Sequence, residues 1–243
     1  MMARNKLFDE YLIECKSRKE WCGLGNPDSH ILIVGKEPYK ENLVEDTEEI
    51  RKLLQEDYDI CENHIFGTGV RKKNPTWNNY QKIIEKVFLH KDFNPNVYSF
   101  EECAFTTELN TMFRPQAQLD EKTVKNINER LFFFKESEFI NSFPVILLAC
   151  GNFISNDEER GFLINNTFDV EFDVEPDSKG KLKGEHKDGY KSGHWFYTHH
   201  RKKDGKRLVI HTRQLSNLFD YRILDDMADI IREHLIKLGI NID

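Results

Sequence analysis

The amino-acid sequence predicts an α/β fold, a three-layer αβα arrangement around a central, mostly parallel sheet of four strands. Two fully apolar runs, HILIVG at 30–35 and PVILLACG at 144–151, have the continuous hydrophobicity of strands that are covered on both faces. Both runs end in glycine, and helical segments lie between them in the chain. This alternation is typical of parallel sheets, because a crossover helix returns the chain to the end of the sheet at which the previous strand began.

The helical segments are recognised by apolar residues that recur every three or four positions. The predicted helices cover 5–21, 44–58, 76–89, 121–140 and 222–240. We expect Thr76, which follows Pro75, to cap the first turn of the third helix. A short strand is predicted within 102–110, between the third and fourth helices.

The segment 152–207 departs from this pattern and is predicted to be a β-rich insertion within one domain that covers 1–243. Residues 166–177 alternate between apolar and polar side chains, which predicts a two-faced strand. The dipeptide Asp204-Gly205 lies between two further β runs, in WFYTHHRKKDGKRLVIHT, and predicts a tight β-hairpin.

Composition limits the classes of function. The chain has 243 residues and a net charge of -7, which argues against a protein that coats nucleic acid with its whole surface. Five cysteines, an odd number with three of them scattered, favour reduced thiols over a disulfide framework. The start of the chain lacks the apolar core of a signal peptide, and no run approaches the length of a membrane span. We therefore expect a soluble, cytoplasmic protein.

Polar groups follow the predicted strands, at the edge where ligands bind in open α/β sheets. They are the carboxylate of Glu37 in GKEPYK, the amide of Asn110 in TELNT, the backbone around Gly151 in CGN, and the imidazole of His211 in HTRQLSN. A carboxylate can hold water, an amide can read a hydrogen-bonding edge, and an imidazole can stabilise developing negative charge. Together they predict a hydrolytic site for a planar heterocycle.

Five segments, in the correct order, resemble motifs of the uracil-DNA glycosylase superfamily. GKEPYK is similar to Gly-Gln-Asp-Pro-Tyr-His, with Glu37 where the best-known branch has its water-activating aspartate. NPTWNNYQKI resembles Pro-Pro-Ser-Leu-x-Asn-Ile-Tyr-Lys at Pro75 and Asn79. ELNTMF resembles Leu-Leu-Asn-Thr, whose asparagine reads the uracil edge. LLACGN resembles a strand that ends in Trp-Gly, and HTRQLSN is similar to His-Pro-Ser-Pro-Leu-Ser.

The resemblance implies one uracil-DNA glycosylase-like domain that excises a uracil or related deaminated base, a step of DNA repair, after flipping the nucleotide out of the helix. The implied site residues are Glu37 and His211 for catalysis, Tyr39, Phe66 and Asn110 for base binding, and Thr76, Arg213, Leu215 and Ser216 for DNA contact. Among them, Tyr39 walls the pocket, Phe66 stacks on the base, and Leu215 is the wedge that fills the vacated space. The implied partner is DNA that contains a damaged or deaminated base, and we expect a monomer without a cofactor.

The sequence also departs from the family. Glu37 carries one methylene more than aspartate, and Thr212 and Gln214 replace both prolines of the final motif. These departures leave a second function open, a non-catalytic module that binds nucleic acid or protein on the same fold. In that case Asn110 is a turn residue bonded to its own backbone, and His211 is a core histidine. Leu215 then packs under the last helix, and Phe66 belongs to the core.

Two further patterns contain residue types that bind metals, but their spacing does not fit a metal site. His199 and His200 are neighbours on a predicted strand, so they point to opposite faces and cannot readily share a zinc ion with other histidines. Cys15 and Cys22 are too far apart in sequence to begin a typical iron–sulfur site. We therefore predict no metal.

The basic tip of the predicted hairpin, RKKDGKR at 201–207, has two interpretations. Because the hairpin leads into the strand that carries His211, we expect its tip to lie near HTRQLSN and to contact DNA phosphates. The alternative is a solvated surface hairpin without a role in binding.

Overall fold

The computed structural model describes residues 2–36, 48–65, 74–112, 119–175, 182–201, 203–216 and 220–242, with side chains from residue 6 onward. Three of the predicted site residues, Glu37, Tyr39 and Phe66, lie outside these ranges. The other six, including Asn110 and His211, lie within them.

The strands are β1 (Leu24–Gly25), β2 (Ile31–Gly35), β3 (Phe105–Glu108), β4 (Val145–Leu148), β5 (Glu171–Phe172), β6 (Glu185–His186), β7 (Phe196–His200) and β8 (Leu208–Thr212). They form one eight-stranded sheet in the order β1-β3-β2-β4-β8-β7-β5, in which β6 also pairs with β7. The predicted count of four strands is therefore wrong for the sheet as a whole. Its central strands β3, β2, β4 and β8 are nevertheless all parallel, and the flanking strands pair antiparallel.

The helices are α1 (Met2–Arg18), α2 (Glu48–Glu62), α3 (Pro75–Val87), α4 (Glu121–Glu136), α5 (Glu138–Asn141), α6 (Leu163–Phe168) and α7 (Tyr221–Lys237). The cap of α3 is Asn74 rather than Thr76, because the Asn74 side chain accepts the N–H of Trp77 and Pro75 occupies the first helical position. The long helix predicted at 121–140 breaks at Ser137, whose hydroxyl caps α5.

Helices cover both faces of the sheet, which confirms the layered α/β arrangement. One core cluster contains Leu32 and Ile146 of the sheet with buried side chains of α1, α2, α4, α5 and α6. The other contains Ile31 and Leu147 with buried side chains of α3 and α7. The alternation along β2 and β4 follows from the two-residue period of a strand, and it explains why their sequences are apolar at every position.

The segment 152–207 forms part of this sheet. The strand predicted at 166–177 is wrong in its first part, because α6 continues to Phe168. Within the described part, 166–175, only Glu171 and Phe172 form a strand. A turn of left-handed backbone at Asp169, with φ of 52°, separates the helix from β5. The two β runs around Asp204 are β7 and β8, which pair antiparallel along their whole length.

A fully buried arginine of α4 binds residues of α1, of β3 and of the segment between α1 and β1. The Arg130 guanidinium forms an ion pair with Glu20 at 2.8 Å. It also donates to the hydroxyl of Tyr11, the carbonyl of Trp21 and the hydroxyl of Thr107, at 2.9 to 3.1 Å. Because most of its donors are satisfied, the buried charge is tolerated in the core.

All five cysteines are free thiols, and two that are distant in sequence lie close together in the structure. The Sγ atoms of Cys22 and Cys61 lie 3.5 Å apart, in the core between α2 and the edge of the sheet. Burial raises the pKa of Cys15, which lies 3.9 Å from the Arg130 guanidinium, to about 12. None of the described helices combines the length and the apolar character that crossing a membrane requires.

The chain order of the parallel strands creates a crevice. From β2 the chain crosses to β3 on one side, whereas β4 and β8 lie on the other side of β2. In such sheets the connections diverge from the carboxyl ends of the two strands at the switch, and ligands bind in the space between them. In this protein the switch lies between β2 and β4.

Candidate functional site

A crevice of about 310 Å³ lies at this switch point. The residues that line it come from the segments after β2, β4 and β8 and before β7: Lys36, Cys150, Gly151, Asn152, Gly193, Trp195, Arg213, Gln214 and Ser216. Two predicted DNA-contacting residues, Arg213 and Ser216, are therefore brought together here. Sequence reasoning missed Lys36, although it lies in the predicted motif GKEPYK.

Gly151 allows the segment after β4 to approach the segment after β8 closely. Its backbone is left-handed, with φ of 55°. A β-carbon at this position would lie 3.6 Å from the backbone nitrogen of Gln214 and 3.7 Å from the Cα atom of Arg213. Glycine is favoured because it adopts this conformation without strain.

His211 lies at the end of β8, beside the crevice. Its Nε2 atom is 2.9 Å from the carbonyl oxygen of Gly151. Because a carbonyl only accepts hydrogen bonds, Nε2 carries the proton in the neutral ring and Nδ1 carries the lone pair. Burial lowers the pKa of His211 to about 4, against a smaller opposing effect of the Gly151 carbonyl, so the imidazole is neutral at pH 7.

Two cationic side chains border the crevice. The Lys36 ammonium lies 4.1 Å from the centroid of the Phe153 ring, a cation–π contact. The Arg213 guanidinium donates to the carbonyl of Gly193 at 3.1 Å. Together they give an anion-favouring edge to a protein whose net charge is negative.

Asn110 follows β3 but does not line this crevice. Its side chain is fully buried, and its Oδ1 atom accepts the N–H of Met112 at 3.3 Å. Its own N–H donates to the carbonyl of Lys36 at 3.0 Å. The structure thus shows the turn-forming interaction that was the alternative to base reading.

Leu215 requires a correction. A wedge that enters DNA must be exposed, but Leu215 is fully buried in the core cluster that contains Leu224 and Met227 of α7. Its carbonyl accepts a hydrogen bond from the side chain of Asn79 at 3.2 Å. In this structure Leu215 packs under the last helix and anchors the loop.

Thr76 is half-buried in the first turn of α3 and does not line the crevice.

Sequence reasoning also missed a carboxylate at this edge of the sheet. Glu108 is paired in register with Gly35, and a β-carbon on residue 35 would overlap the Glu108 carboxylate. The glycine that ends HILIVG therefore makes room for this side chain. Burial, and then the charge of Glu108, raise the pKa of Cys150 well above its usual value.

A second cavity, of about 730 Å³, adjoins the crevice and shares Gly151, Asn152 and Trp195 with it. Its other walls come from 154–174 and from β7 and β8, and they include Phe172, Tyr197, His199 and His211. The sequence drew attention to His199 only as a rejected metal ligand. As expected for neighbours on a strand, the two side chains point to opposite faces: His199 faces this cavity, whereas His200 lies against His234 of α7, with ring centroids 6.0 Å apart.

The basic hairpin tip lies at the amino ends of the parallel strands, whereas the predicted DNA-contacting loop lies at their carboxyl ends. β8 is parallel to β4, and Leu208 pairs with Val145 at the amino ends of both strands. The described residues of the tip, 201 and 203–207, precede Leu208, whereas His211 lies about 10 Å beyond Leu208 along the strand. Arg207 is buried and donates to the carbonyl of Asn141 at 2.6 Å. The expected contact between this tip and HTRQLSN is therefore wrong.

Among the residues that the structure describes, no three side chains of histidine, cysteine, aspartate or glutamate form a cluster suited to a metal ion. No protein-family model matches the chain, and no curated protein matches it in sequence. The resemblance to the uracil-DNA glycosylase superfamily therefore rests on the sequence motifs alone.

Proposed function

We propose that this protein is a DNA glycosylase of the uracil-DNA glycosylase superfamily, which hydrolyses the N-glycosidic bond of a flipped-out uracil or related deaminated base. One observation carries the proposal: Lys36, Arg213 and Ser216 line one crevice at the switch between β2 and β4. Two of these residues were assigned to DNA contact from the motifs alone. A crevice with two cations beside a hydroxyl suits the phosphates that flank an extruded nucleotide.

In the proposed reaction, water attacks the sugar carbon C1′ and the bond from C1′ to the base nitrogen breaks. Glu37, which follows Lys36 in the chain, orients the water and takes its proton. The base leaves with the electron pair of the broken bond, so negative charge develops on its carbonyl oxygen. A preorganised hydrogen-bond donor at that oxygen lowers the barrier by about 3 to 4 kcal/mol.

His211 is the proposed donor, and its geometry sets a condition. In the described state its Nε2–H donates to the Gly151 carbonyl. The same proton must therefore turn from Gly151 to the base when substrate binds. A neutral imidazole is suited to this role, because it donates without holding the leaving base as a tight ion pair.

A second function, a non-catalytic module on the same fold, is favoured by one observation. The amide of Asn110, which the motif assigns to base reading, is fully buried and bonded to the N–H of Met112. In such a module the crevice binds the phosphate backbone and no bond is cleaved.

The two functions are separated by incubating the protein with single- and double-stranded oligonucleotides that carry uracil, hypoxanthine or xanthine. Alkali then cleaves the strand wherever a base has been removed. We expect strand breaks at one of these bases with the wild-type protein and none with Glu37→Gln. If stoichiometric wild-type protein binds the oligonucleotides and yields no breaks on any of them, the catalytic proposal fails and the binding module replaces it.

A further inference from the structure

The cavity beside the crevice has walls suited to a flat ligand. The ring centroids of Trp195 and Tyr197 lie 5.1 Å apart, and those of Tyr197 and Phe172 lie 5.9 Å apart. The planes of Trp195 and Tyr197 are inclined by 42° and those of Tyr197 and Phe172 by 74°, and all three rings line a space of about 730 Å³. This volume is within the range of small-molecule sites, which are concave, mostly apolar and lined by a few placed polar groups.

One aromatic side chain stands exposed at this cavity. Phe162 lines it with 44% of its surface accessible to solvent. Its backbone is left-handed, with φ of 52°, a conformation that costs a bulky residue on the order of 1 to 3 kcal/mol. Strain of this kind is concentrated at ligand sites and active sites, and here it directs an apolar ring to the space a ligand would fill.

The polar groups of the cavity include atoms without partners. His199 is only 2% exposed, and neither of its ring nitrogens has a hydrogen-bond partner within the described chain. The same is true of the Oδ1 atom of Asn165, which also lines the cavity. A buried polar atom without a partner costs about 1 to 3 kcal/mol, which a ligand that completes the hydrogen bonds would recover.

The charged residues in the described lining of the cavity disfavour anions. Its described lining contains no lysine or arginine, whereas Asp157 and Glu171 contribute carboxylates. Burial, and then the nearby imidazoles of His211 and His200, lower the pKa of His199 to about 3. The imidazole therefore offers one donor and one acceptor without a charge at neutral pH.

From these contacts we infer that the cavity binds an uncharged, planar heterocycle that presents a ring N–H beside a carbonyl, as a nucleobase does. His199 donates to the carbonyl, Asn165 Oδ1 accepts the ring N–H, and one of the aromatic rings stacks on the face of the ligand. Stacking of a base on an aromatic side chain contributes about 1 to 3 kcal/mol.

This inference deepens the proposed function. It rests on that function for one statement, that the base bound in the cavity belongs to a nucleotide of DNA. Because Gly151, Asn152 and Trp195 line both spaces, a nucleotide could place its base in the cavity and its phosphate in the crevice. The base would then be read by the segment 152–207 rather than by Asn110. The binding of a free base does not require catalysis, so it is tested separately.

The test is calorimetric titration of the protein with free uracil and hypoxanthine, and with 1,3-dimethyluracil and 1-methylhypoxanthine, in which no N–H is bonded to a carbonyl carbon. We expect at least one unmodified base to bind and its methylated form to bind about tenfold more weakly. His199→Phe should weaken base binding by about the same factor. It should also fold as stably as wild type, because an apolar ring replaces two unsatisfied nitrogens.

His200→Phe is the matched control, since this neighbouring histidine lies against His234 on the other face and leaves the cavity unchanged. The inference is overturned if neither unmodified base binds, if an aromatic ammonium such as tryptamine binds in their place, or if His199→Phe binds bases as tightly as wild type. A protein that binds free bases through His199 but releases none from DNA would contradict the proposed function and leave this inference standing.

Discussion

The Nε2 atom of His211 lies 2.9 Å from the carbonyl oxygen of Gly151, and this hydrogen bond joins the carboxyl ends of β8 and β4. The contact depends on the left-handed backbone of Gly151, which brings the two strand ends together. It fixes the tautomer of the imidazole and one wall of the crevice at the same time. The geometry of the proposed site is therefore set by backbone conformation as much as by side chains.

Gly151→Ala should lower the free energy of unfolding by about 1 kcal/mol, because alanine pays a backbone penalty in the left-handed region while its β-carbon makes only ordinary contacts. Gly205→Ala is the control, since Gly205 also has a positive φ, of 63°, and no atom lies within 4 Å of its added carbon. Urea denaturation of both variants measures the costs. A loss at Gly151 several kcal/mol larger than at Gly205 would show that the two strand ends are packed more tightly than described.

The free energy of unfolding should decrease as the pH falls below 7. In the folded protein the pKa of His199 is about 3 and that of His211 is about 4, so both side chains stay neutral until the pH approaches these values. In the unfolded chain histidine takes up a proton near pH 6.5, so the unfolded state binds more protons between these values. At pH 5 each histidine accounts for a loss of up to about 2 kcal/mol. His199→Phe removes one contribution, so its stability relative to wild type should rise between pH 7 and pH 5. An equal pH dependence for both proteins would show that His199 is not neutral through burial.

Arg130→Met should destabilise the fold by about 3 to 5 kcal/mol, because it leaves the Glu20 carboxylate, which is only 12% exposed, and several buried polar groups without their partner. Arg18→Ala is the comparison, since its ion pair with Glu14 is solvent-exposed and is worth at most about 1 kcal/mol. Thermal or urea unfolding distinguishes the two. Similar losses in both variants would contradict a structural role for the buried guanidinium.

Binding to DNA should depend on salt through the crevice and not through the hairpin tip. On duplex DNA each lost phosphate contact reduces the slope of log affinity against log salt by about 0.9. We expect this reduction in Lys36→Gln and in Arg213→Gln, and no change in Lys203→Gln, which lies at the opposite edge of the sheet. A reduced slope for Lys203→Gln with unchanged slopes for the other two would move the DNA surface to the hairpin.

The central sheet was predictable because its strands are buried on both faces and their sequences are apolar throughout. The edge strands were not, since β1, β5 and β6 have two residues each and show no period that a sequence pattern can reveal. The break at Ser137 was missed because apolar residues continue across it at helical spacing. In each case backbone hydrogen bonding, and not hydrophobic pattern, decides the structure.

The position of the crevice follows from the order of the strands, but the burial of individual side chains around it does not. Arg213 and Ser216 meet at the crevice because both follow a parallel strand, which sequence order alone indicates. The burial of Leu215 was not predictable, since an exposed wedge and a core anchor are the same residue type in the same loop. His199 was missed as a ligand residue because the cavity that it faces is formed by segments distant in sequence.

The central claim is that this crevice supports base excision, and the most direct measurement is the amount of free base released in a single turnover. Wild-type protein in excess over a double-stranded oligonucleotide with one deaminated base should release that base in an amount approaching the oligonucleotide present. Glu37→Gln should bind the same DNA and release none, and Lys203→Gln should release base at the wild-type rate. Release that is equal in wild type and Glu37→Gln, or no release by wild type from any deaminated base, would contradict the account.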